Sequence, residues 1–181
     1  MKLILIGIQG AGKSTQGNLL SEKLGIPYLS TGHIFRELAR EKTSLGRYIK
    51  EVMNAGYLIS DEKTLQIVTE YLHRPEYENG YILDGFPRTI AQAEAFKNGI
   101  DKVVYLKVSD REALWRLSYR DDNNRQDETL TAIRKRIEQF NLLTKPVLDY
   151  YRKIGKLVEV NGESSIEEVF QSILEGIGKG G

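Results

Sequence analysis

Short apolar runs alternate with longer segments of helical periodicity through most of the chain. The apolar runs predict strands, which we place at 2–6, 28–30, 81–83, 102–108 and 157–160. Because strands that alternate with helices are typical of βαβ units, the pattern predicts an α/β fold with a parallel five-stranded sheet flanked by helices. In such a sheet the ligand crevice lies at the carboxyl ends of the strands.

The interval between the second and third predicted strands is long and carries no strand pattern. Residues 31–73 are mostly helical in pattern, with helices predicted at 45–54, which Gly56 ends, and at 61–73, which Pro75 ends. We expect this segment to form a helical insertion beside the sheet.

Helix boundaries in the second half of the chain follow from caps and breakers. A helix is predicted after Arg88 to about Asn98, and we expect Asp110 to cap the next helix. Pro146 should kink or divide the long helical pattern that follows. A last amphipathic helix is predicted at 166–173, and the glycine-rich 176–181 should be a frayed tail. Residues 120–125 are too polar for a core and predict an exposed turn or lid.

The first predicted strand opens into the glycine-rich turn Gly7-Ile8-Gln9-Gly10-Ala11-Gly12-Lys13-Ser14-Thr15. It fits the P-loop pattern G-x-x-x-x-G-K-[ST] in the strand-to-helix context that the motif requires, which argues against a chance glycine turn. The glycines let backbone amides approach phosphate oxygens, and the helix beginning near Lys13 adds its N-terminal partial positive charge. Lys13 can reach the β- and γ-phosphates, and the Ser14 hydroxyl can ligate Mg²⁺. The turn therefore predicts a site for nucleotide phosphates.

Composition and charge narrow the classes of function. A chain of 181 residues with 40% hydrophobic and 28% charged residues can build one sizeable globular core. The 26 Lys and Arg against 25 Asp and Glu leave no basic excess, so we expect no nucleic-acid partner. The lack of cysteine excludes disulfides and a cysteine-ligated zinc site. No apolar run is long enough for a signal peptide or a membrane span, so we expect a soluble, cytoplasmic protein without a membrane partner.

Polar loops that follow the predicted strands supply the candidate chemistry. The strand at 81–83 ends in Asp84-Gly85-Phe86-Pro87-Arg88, which delivers an acid and an arginine to a loop. Several arginines are candidates for reaching one crevice, namely Arg36, Arg88, Arg116, Arg120, Arg125, Arg134 and Arg136. A single helical arginine is most often a solvated surface residue, and this is the alternative for Arg116 and Arg134. Beside a P-loop, however, planar guanidinium groups suit bidentate phosphate binding.

Further sequence blocks accompany the P-loop, which continues as Lys13-Ser14-Thr15-Gln16. They are 29–36 (Leu-Ser-Thr-Gly-His-Ile-Phe-Arg), 56–61 (Gly-Tyr-Leu-Ile-Ser-Asp), 84–89 (Asp-Gly-Phe-Pro-Arg-Thr) with Gln92, and the arginines between 116 and 136. Together these blocks resemble the adenylate kinase family over nearly the whole chain, and Asp-Gly-Phe-Pro-Arg is highly specific for nucleoside monophosphate kinases. The resemblance implies a P-loop NTPase-type fold and reversible phosphoryl transfer from Mg·ATP to AMP, giving two ADP.

The resemblance also implies a role for each matching position. The ATP side is Gly10, Ala11, Gly12, Lys13, Ser14, Thr15, Arg116, Arg120 and Ser164. The AMP side is Thr31, Arg36, Met53, Ile59, Gly85, Arg88, Gln92, Arg125 and Arg136. The implied catalytic set is Lys13, Arg88, Arg120, Arg125 and Arg136. Arg116 is expected to stack on the ATP base, and Gln92 to read the adenine edge of AMP.

Mg²⁺ is the cofactor that the resemblance implies, held by Ser14 and Asp84 mainly through water. The alternative for Asp84 is a structural cap of its own loop, although acids of this kind commonly end a strand beside a P-loop. The family usually has aspartate where this chain has His33, and that carboxylate helps to hold water around Mg²⁺. A neutral imidazole can accept a hydrogen bond from such a water but brings no negative charge. His33 is therefore either a weaker substitute or a surface residue without a role.

The implied organisation is one domain over 1–181. It has a core of 1–29, 60–119 and 127–181, a helical AMP-binding insertion at about 30–59 and a very short lid at about 120–126. We expect a monomer whose partners are the small molecules ATP, AMP and ADP. Thr31 and Thr89 resemble the adenylate branch, since UMP/CMP kinases tend to have Ala and Asn there. Two alternatives stay open: a kinase for another nucleoside monophosphate such as UMP or CMP, and a nucleotide-binding assembly factor of the same fold.

Overall fold

The computed structural model describes residues 1–119 and 129–178. Over these residues five parallel strands form one sheet in the order β2-β3-β1-β4-β5, which confirms the predicted α/β fold. The strands are β1 (Lys2–Ile6), β2 (Tyr28–Ser30), β3 (Tyr81–Asp84), β4 (Lys102–Lys107) and β5 (Leu157–Asn161). The chain turns to one side of β1 for β2 and β3 and to the other side for β4 and β5. The loop after β1 therefore lies at the switch point where α/β sheets bind ligands.

The central strands carry near-continuous apolar residues because helices cover both faces of a parallel sheet. Leu3, Ile4 and Leu5 of β1 are fully buried. In the strand register Leu5 pairs with Asp84 of β3, and Ser30 of β2 pairs with the same residue. The register thus places the Asp84 carboxylate beside the start of the glycine-rich loop.

Helices connect the strands and flank the sheet. They are α1 (Lys13–Leu24), α2 (Thr31–Arg40), α3 (Ser44–Asn54), α4 (Asp61–Leu72), α5 (Ile90–Ala95), α6 (Asp110–Ser118), α7 (Leu130–Gln139), α8 (Lys145–Lys153) and α9 (Ile166–Gly178). The helices α2, α3 and α4 occupy the predicted helical interval between β2 and β3. Among the residues that the structure describes, no helix is long and apolar enough to cross a membrane.

Two helix ends in the middle of the chain differ from the prediction. Ser109, rather than Asp110, caps α6, because its side chain accepts a hydrogen bond from the Glu112 amide. Asp110 is instead the first helical residue, where a carboxylate still interacts favourably with the helix dipole. The helix α5 ends at Ala95, short of the predicted Asn98, since Phe96 turns into the core and packs edge-on against Phe86 at 4.9 Å between ring centroids.

The long apolar pattern after residue 129 is divided, as Pro146 predicts. A π-helical segment, Phe140–Thr144, separates α7 from α8, and Pro146 lies in the first turn of α8, where its missing N–H is tolerated. The Thr144 hydroxyl donates to the Arg88 carbonyl at 2.9 Å. This segment is therefore in direct contact with the loop after β3.

The last helix is longer than predicted, and the expectation of a frayed tail is wrong for residues 176–178. Ile177 is buried against the core. A Cβ added at Gly176 would lie 2.4 Å from Val158 Cγ1, so the glycine allows α9 to pack closely on β5. Residues 179–181 lie outside the described residues.

Candidate functional site

A cavity of about 530 Å³ opens at the carboxyl end of the sheet, next to β1. This volume is within the range usual for small-molecule sites. Its walls come from the loops after β1, β3 and β5, from α2 and the end of α3, and from α6 and α7. We call this cavity the crevice.

The loop after β1 forms one end of the crevice with its backbone. Gly10 and Gly12 have φ angles of 88° and 85°, which only glycine adopts without strain. A Cβ at Gly10 would also lie 2.9 Å from the Ala113 carbonyl oxygen. Gly12 caps α1 and has no side chain that could accept from the N–H groups of the first turn. The amides at the start of the helix and the positive end of its dipole favour an anion at this point.

The Lys13 ammonium lies over the same loop. Its Nζ donates to the Gly7 carbonyl at 2.8 Å and to the Ile8 carbonyl at 3.1 Å. The predicted ATP-side residues of this segment, Gly10 through Thr15, all line the crevice. The arrangement offers backbone donors and one cation at a single point.

The loop after β3 forms the other end of the crevice. Gly85 has a φ of 82°, and a Cβ there would lie 2.4 Å from the Thr31 hydroxyl oxygen. Thr31 itself is buried and donates to the Asp84 carbonyl at 3.0 Å. Arg88 Nε donates to the Gly85 carbonyl at 2.8 Å, which holds the guanidinium over the loop. Of the predicted AMP-side residues that the structure describes, only Thr31 is absent from the crevice lining.

Like charges are concentrated around Arg88. Burial lowers the pKa of Arg88 from its ordinary value. The negative charge of nearby Asp84 raises this pKa, and the positive charges of Arg136 and Arg36 lower it. An arginine stays protonated in proteins, so these guanidinium groups repel one another across a partly buried space. Because a multiply charged anion would remove this repulsion, the crevice suits phosphate groups.

Arg136 bridges two sides of the crevice. Its guanidinium donates to the Met53 carbonyl at 3.1 Å and to the Gln9 side chain at 3.4 Å, which joins the end of α3 to the loop after β1. Arg134 is exposed, and the described lining of the crevice does not include it. The expectation that Arg134 reaches the crevice is wrong, because two positions along a helix turn the side chain to the other face.

The turn after α3 also packs directly on α7. A Cβ at Gly56 would lie 2.7 Å from the Ala132 carbonyl oxygen and 2.9 Å from Lys135 Cβ. The Lys135 ammonium lies 5.0 Å from the centre of the Tyr57 ring. Glycine at position 56 is therefore what allows this turn to approach α7 closely.

Asp84 carries a carboxylate with one oxygen engaged and one unused. Tyr28 donates its hydroxyl to Oδ2 at 2.9 Å, and Tyr28 reaches this position because its ring lies against Gly17 of α1. Oδ1 is buried and has no hydrogen-bond partner in the part of the chain that the structure describes. Both Asp84 and Ser14 line the crevice.

No three His, Asp or Glu residues form a metal-binding group within the described ranges 1–119 and 129–178. Mg²⁺ usually binds through one or two protein oxygens together with substrate phosphates and waters. The unused Asp84 oxygen and the Ser14 hydroxyl fit that mode of binding. His33 is exposed on α2 and is not among the described lining residues.

Some of the remaining predicted site residues line the crevice, and the others lie outside the residues that the structure describes. Arg116 lines the crevice and donates to Glu112 at 2.8 Å and to the Gly162 carbonyl at 3.0 Å. Ser164 lines it as well. The predicted lid, with Arg120 and Arg125, lies outside the described residues.

Sequence reasoning missed the contacts that hold the side chains of the site. Asp61 accepts hydrogen bonds from Thr89 and from Gln92, and Tyr28 donates to Asp84. The sequence marked Asp61 as a helix start and as the end of the block 56–61, without a role for its side chain, and no local pattern marks a tyrosine that contacts an acid on a neighbouring strand. Only the register of the parallel strands could have indicated the second pair.

A glycine-rich turn between a strand and a helix, facing an arginine-lined loop across one crevice, defines a P-loop nucleotide-binding protein. The family model described as adenylate kinase matches residues 5–156. The chain belongs to the adenylate kinase family.

Individual relatives match along the whole chain. An adenylate kinase of Clostridium botulinum (strain Loch Maree / Type A3) is 39% identical over 214 residues, covering 99% of each chain. An adenylate kinase of Archaeoglobus fulgidus is 38% identical over 208 residues, covering 96% of each. One of Caldicellulosiruptor bescii is 36% identical over 213 residues, covering 98% of this chain and 99% of its own. These alignments are longer than the 181 residues of this chain, so the relatives carry residues without a counterpart here.

Proposed function

We propose that this chain catalyses the reversible transfer of the γ-phosphoryl group of ATP to AMP, giving two ADP. The observation that carries the proposal is one crevice with the P-loop at one end and the arginine-bearing loop after β3 at the other. The relatives reported above are named adenylate kinase, which supports the same reaction.

ATP binds in this proposal at the P-loop end. The amides and side chains of Gly10, Ala11, Gly12, Lys13, Ser14 and Thr15 surround its phosphates. Arg116 and Ser164 hold the base, and Arg120 adds a positive charge from the lid. The Lys13 ammonium, which donates to the Gly7 carbonyl at 2.8 Å, lies over this loop and supplies a positive charge to a phosphate oxygen in this proposal.

AMP binds at the end formed by α2, α3 and the loop after β3. The residues assigned to it are Thr31, Arg36, Met53, Ile59, Gly85, Arg88, Gln92, Arg125 and Arg136. Thr31 acts indirectly, because its hydroxyl donates to the Asp84 carbonyl and so supports the neighbouring Gly85. Arg88 and Arg36 pair with the AMP phosphate, and Gln92 reads the base.

The chemical step needs no protein nucleophile and no strong base, because an AMP phosphate oxygen is already anionic. That oxygen forms the new bond to the γ-phosphorus in line with the bond to the β-phosphate oxygen, which breaks and leaves ADP. Lys13, Arg88, Arg120, Arg125 and Arg136 neutralise the charge that accumulates on the transferring group. The crevice holds both nucleotides in one orientation and limits the water that would hydrolyse ATP.

Mg²⁺ belongs to this proposal as the cofactor, and Ser14 and Asp84 would hold it, Asp84 mainly through water. When bound, the ion neutralises phosphate charge and fixes the orientation of the ATP phosphates. Tyr28 orients the carboxylate by donating to its Oδ2 at 2.9 Å, and Oδ1 would remain to hold the ion through water.

The proposal extends to the whole protein. We propose a cytoplasmic monomer that acts on small molecules, with a core of 1–29, 60–119 and 127–181. The AMP-binding insertion of about 30–59 and the lid of about 120–126 complete it. The greater length of the aligned relatives is compatible with a lid that is shorter in this chain.

The test is phosphoryl transfer from ATP to AMP, CMP, UMP and GMP, each supplied separately, with products separated by chromatography. We expect AMP to be the preferred acceptor and ADP the only product with it. A higher kcat/KM for UMP or CMP would assign the chain to another monophosphate. Nucleotide binding without transfer to any acceptor would favour an assembly factor instead.

A further inference from the structure

Asp61 lies outside the crevice lining but contacts a residue within it. It is the first residue of α4, and its Oδ1 accepts hydrogen bonds from the Thr89 hydroxyl and from Gln92 Nε2, both at 2.8 Å. Gln92 is only 2% exposed and lines the crevice. Asp61 therefore acts on the crevice through the Gln92 side chain.

A second contact fixes the other half of the Gln92 amide. The Arg88 backbone N–H donates to Gln92 Oε1 at 2.8 Å. A carboxylate can only accept hydrogen bonds and a backbone N–H can only donate them, so the amide nitrogen must face Asp61 and the amide oxygen must face Arg88. Rotating the amide by half a turn would bring oxygen against oxygen and N–H against N–H. The order of donor and acceptor that Gln92 presents is therefore fixed by its surroundings.

The rest of the network supports the same orientation. The Thr89 hydroxyl accepts from the Gln92 backbone N–H at 3.2 Å as the cap of α5, so its proton is free to go to Asp61. Asp61 thus ties the start of α4 to the first turn of α5. Each amide atom of Gln92 uses one of its two hydrogen-bonding positions on the protein, which leaves one N–H and one lone pair for a ligand.

The order of donor and acceptor distinguishes two classes of purine. The pairing edge of a 6-aminopurine offers an acceptor at N1 and a donor at the 6-amino group. A 6-oxopurine offers the reverse order, a donor at N1 and an acceptor at O6. An amide that can rotate accommodates both, whereas an amide that is held in place matches one and leaves buried groups unpaired with the other.

We propose that Asp61 is a positioning residue that locks the Gln92 amide and thereby makes the acceptor site selective for 6-aminopurine over 6-oxopurine monophosphates. This inference rests on the proposed function, in which the acceptor is AMP and Gln92 meets its base. Asp61 touches no substrate. Its effect appears in the choice between bases and not in the chemical step.

Asp61 also has a structural alternative, because a carboxylate in the first turn of α4 stabilises the helix dipole. Glu62 is the next residue, is exposed and lies in the same first turn, and no described contact joins it to α5. Glu62→Ala removes the same charge from the same turn and is the matched control. Asp61→Asn is the conservative variant, since an amide oxygen can accept from both donors while the charge is lost.

The experiment compares kcat/KM for AMP with kcat/KM for IMP, which differ only in the 6-substituent and the N1 proton. For Asp61→Ala we expect the AMP-to-IMP ratio to fall about tenfold, equivalent to about 1.4 kcal/mol. The KM for AMP should rise, while the KM for ATP and the kcat at saturating AMP stay close to those of the native protein. Asp61→Asn should recover most of the ratio, and Glu62→Ala should leave it unchanged.

Other outcomes overturn the inference. An unchanged ratio in Asp61→Ala, or an equal fall in Glu62→Ala, would leave Asp61 with a helix-stabilising role only. Calorimetric binding of AMP and IMP to the same proteins repeats the comparison without turnover. Failure of the native protein to transfer phosphate to AMP refutes the proposed function, while the calorimetric ratio still supports or refutes the role of Asp61. Equal affinities for AMP and IMP in the native protein would refute that role.

Discussion

The two ends of the crevice are built in different ways. The P-loop end comes from one continuous segment and presents backbone amides, held by glycines with positive φ at positions 10 and 12. The acceptor end presents side chains from α2, α5, α7 and the loop after β3, and two of these, Gln92 and Arg136, are held by hydrogen bonds to distant parts of the chain. The comparison teaches that a phosphate site built from backbone amides needs local sequence, whereas the proposed base site needs tertiary structure.

The largest effect is expected from the one charged side chain that the P-loop segment contributes. Lys13→Met should lower kcat by at least about 100-fold, the usual cost of losing a donor to developing charge. The fold should persist, since the ammonium is bonded to the Gly7 and Ile8 carbonyls of its own loop and lies at the crevice rather than in the apolar core. Steady-state kinetics and a thermal melt measure the two effects. Lys23→Met, on the exposed side of the same helix, is the control, and a native rate in Lys13→Met would remove the P-loop from the mechanism.

Arg88→Ala tests whether the two ends are separate in function. The change removes the side chain that we propose to pair with the AMP phosphate, so we expect the KM for AMP to rise by about 10- to 100-fold, as for a lost hydrogen bond to a charged group. The KM for ATP should change by less than about threefold, because Arg88 belongs to the other end. The measurement varies each nucleotide at saturation of the other. The separation fails if both constants rise together, and Arg134→Ala supplies an exposed arginine for comparison.

A smaller effect is expected from Tyr28, whose hydroxyl orients Asp84. Tyr28→Phe removes the hydroxyl that donates to Asp84 Oδ2, so we expect a loss of about 1 kcal/mol in the free energy of unfolding. The magnesium concentration for half-maximal rate should rise several-fold. Denaturant unfolding without nucleotide and magnesium titration with it give the two readings. Tyr71→Phe on α4 controls for loss of a hydroxyl, and unchanged values in both readings would show that Asp84 needs no orientation.

The smallest effect is expected at His33, which lies at neither end. Because His33 is exposed in the first turn of α2, His33→Asp should stabilise the helix by about 0.3–1 kcal/mol through the dipole. The magnesium requirement should not change. His73→Asp at the C-terminal end of α4 is the counterpart of opposite sign and should destabilise. A lower magnesium requirement in His33→Asp would instead place residue 33 near the metal.

The features that the sequence could predict are likewise the local ones. The strands, most helices and the P-loop could be predicted because they depend on spacing within a few residues. The contacts of Asp61 with Gln92 and of Tyr28 with Asp84 join residues 31 and 56 positions apart, and no pattern within one element indicates them. The family resemblance predicted that Gln92 reads the base, but the orientation of its amide is visible only in the fold.

Three errors of prediction have local physical causes. Ser109 and Asp110 are both good helix caps, so composition could not choose between them. Arg134 and Arg136 differ only in helical phase, which becomes visible once the buried face of α7 is known. The glycines near the C-terminus indicated a loose tail, whereas Gly176 serves close packing of α9 on Val158.

The contact at Gly56 has a consequence for engineering. A wider acceptor pocket could be sought by moving α3 outward, but the turn after α3 meets α7 where Gly56 faces Ala132, and Arg136 of α7 is bonded to Met53 of α3. Any side chain at position 56 would push on the helix that carries this arginine. The size of the acceptor pocket therefore cannot be changed without moving Arg136. Variants that accept a larger base should need compensating substitutions at 132 or 135.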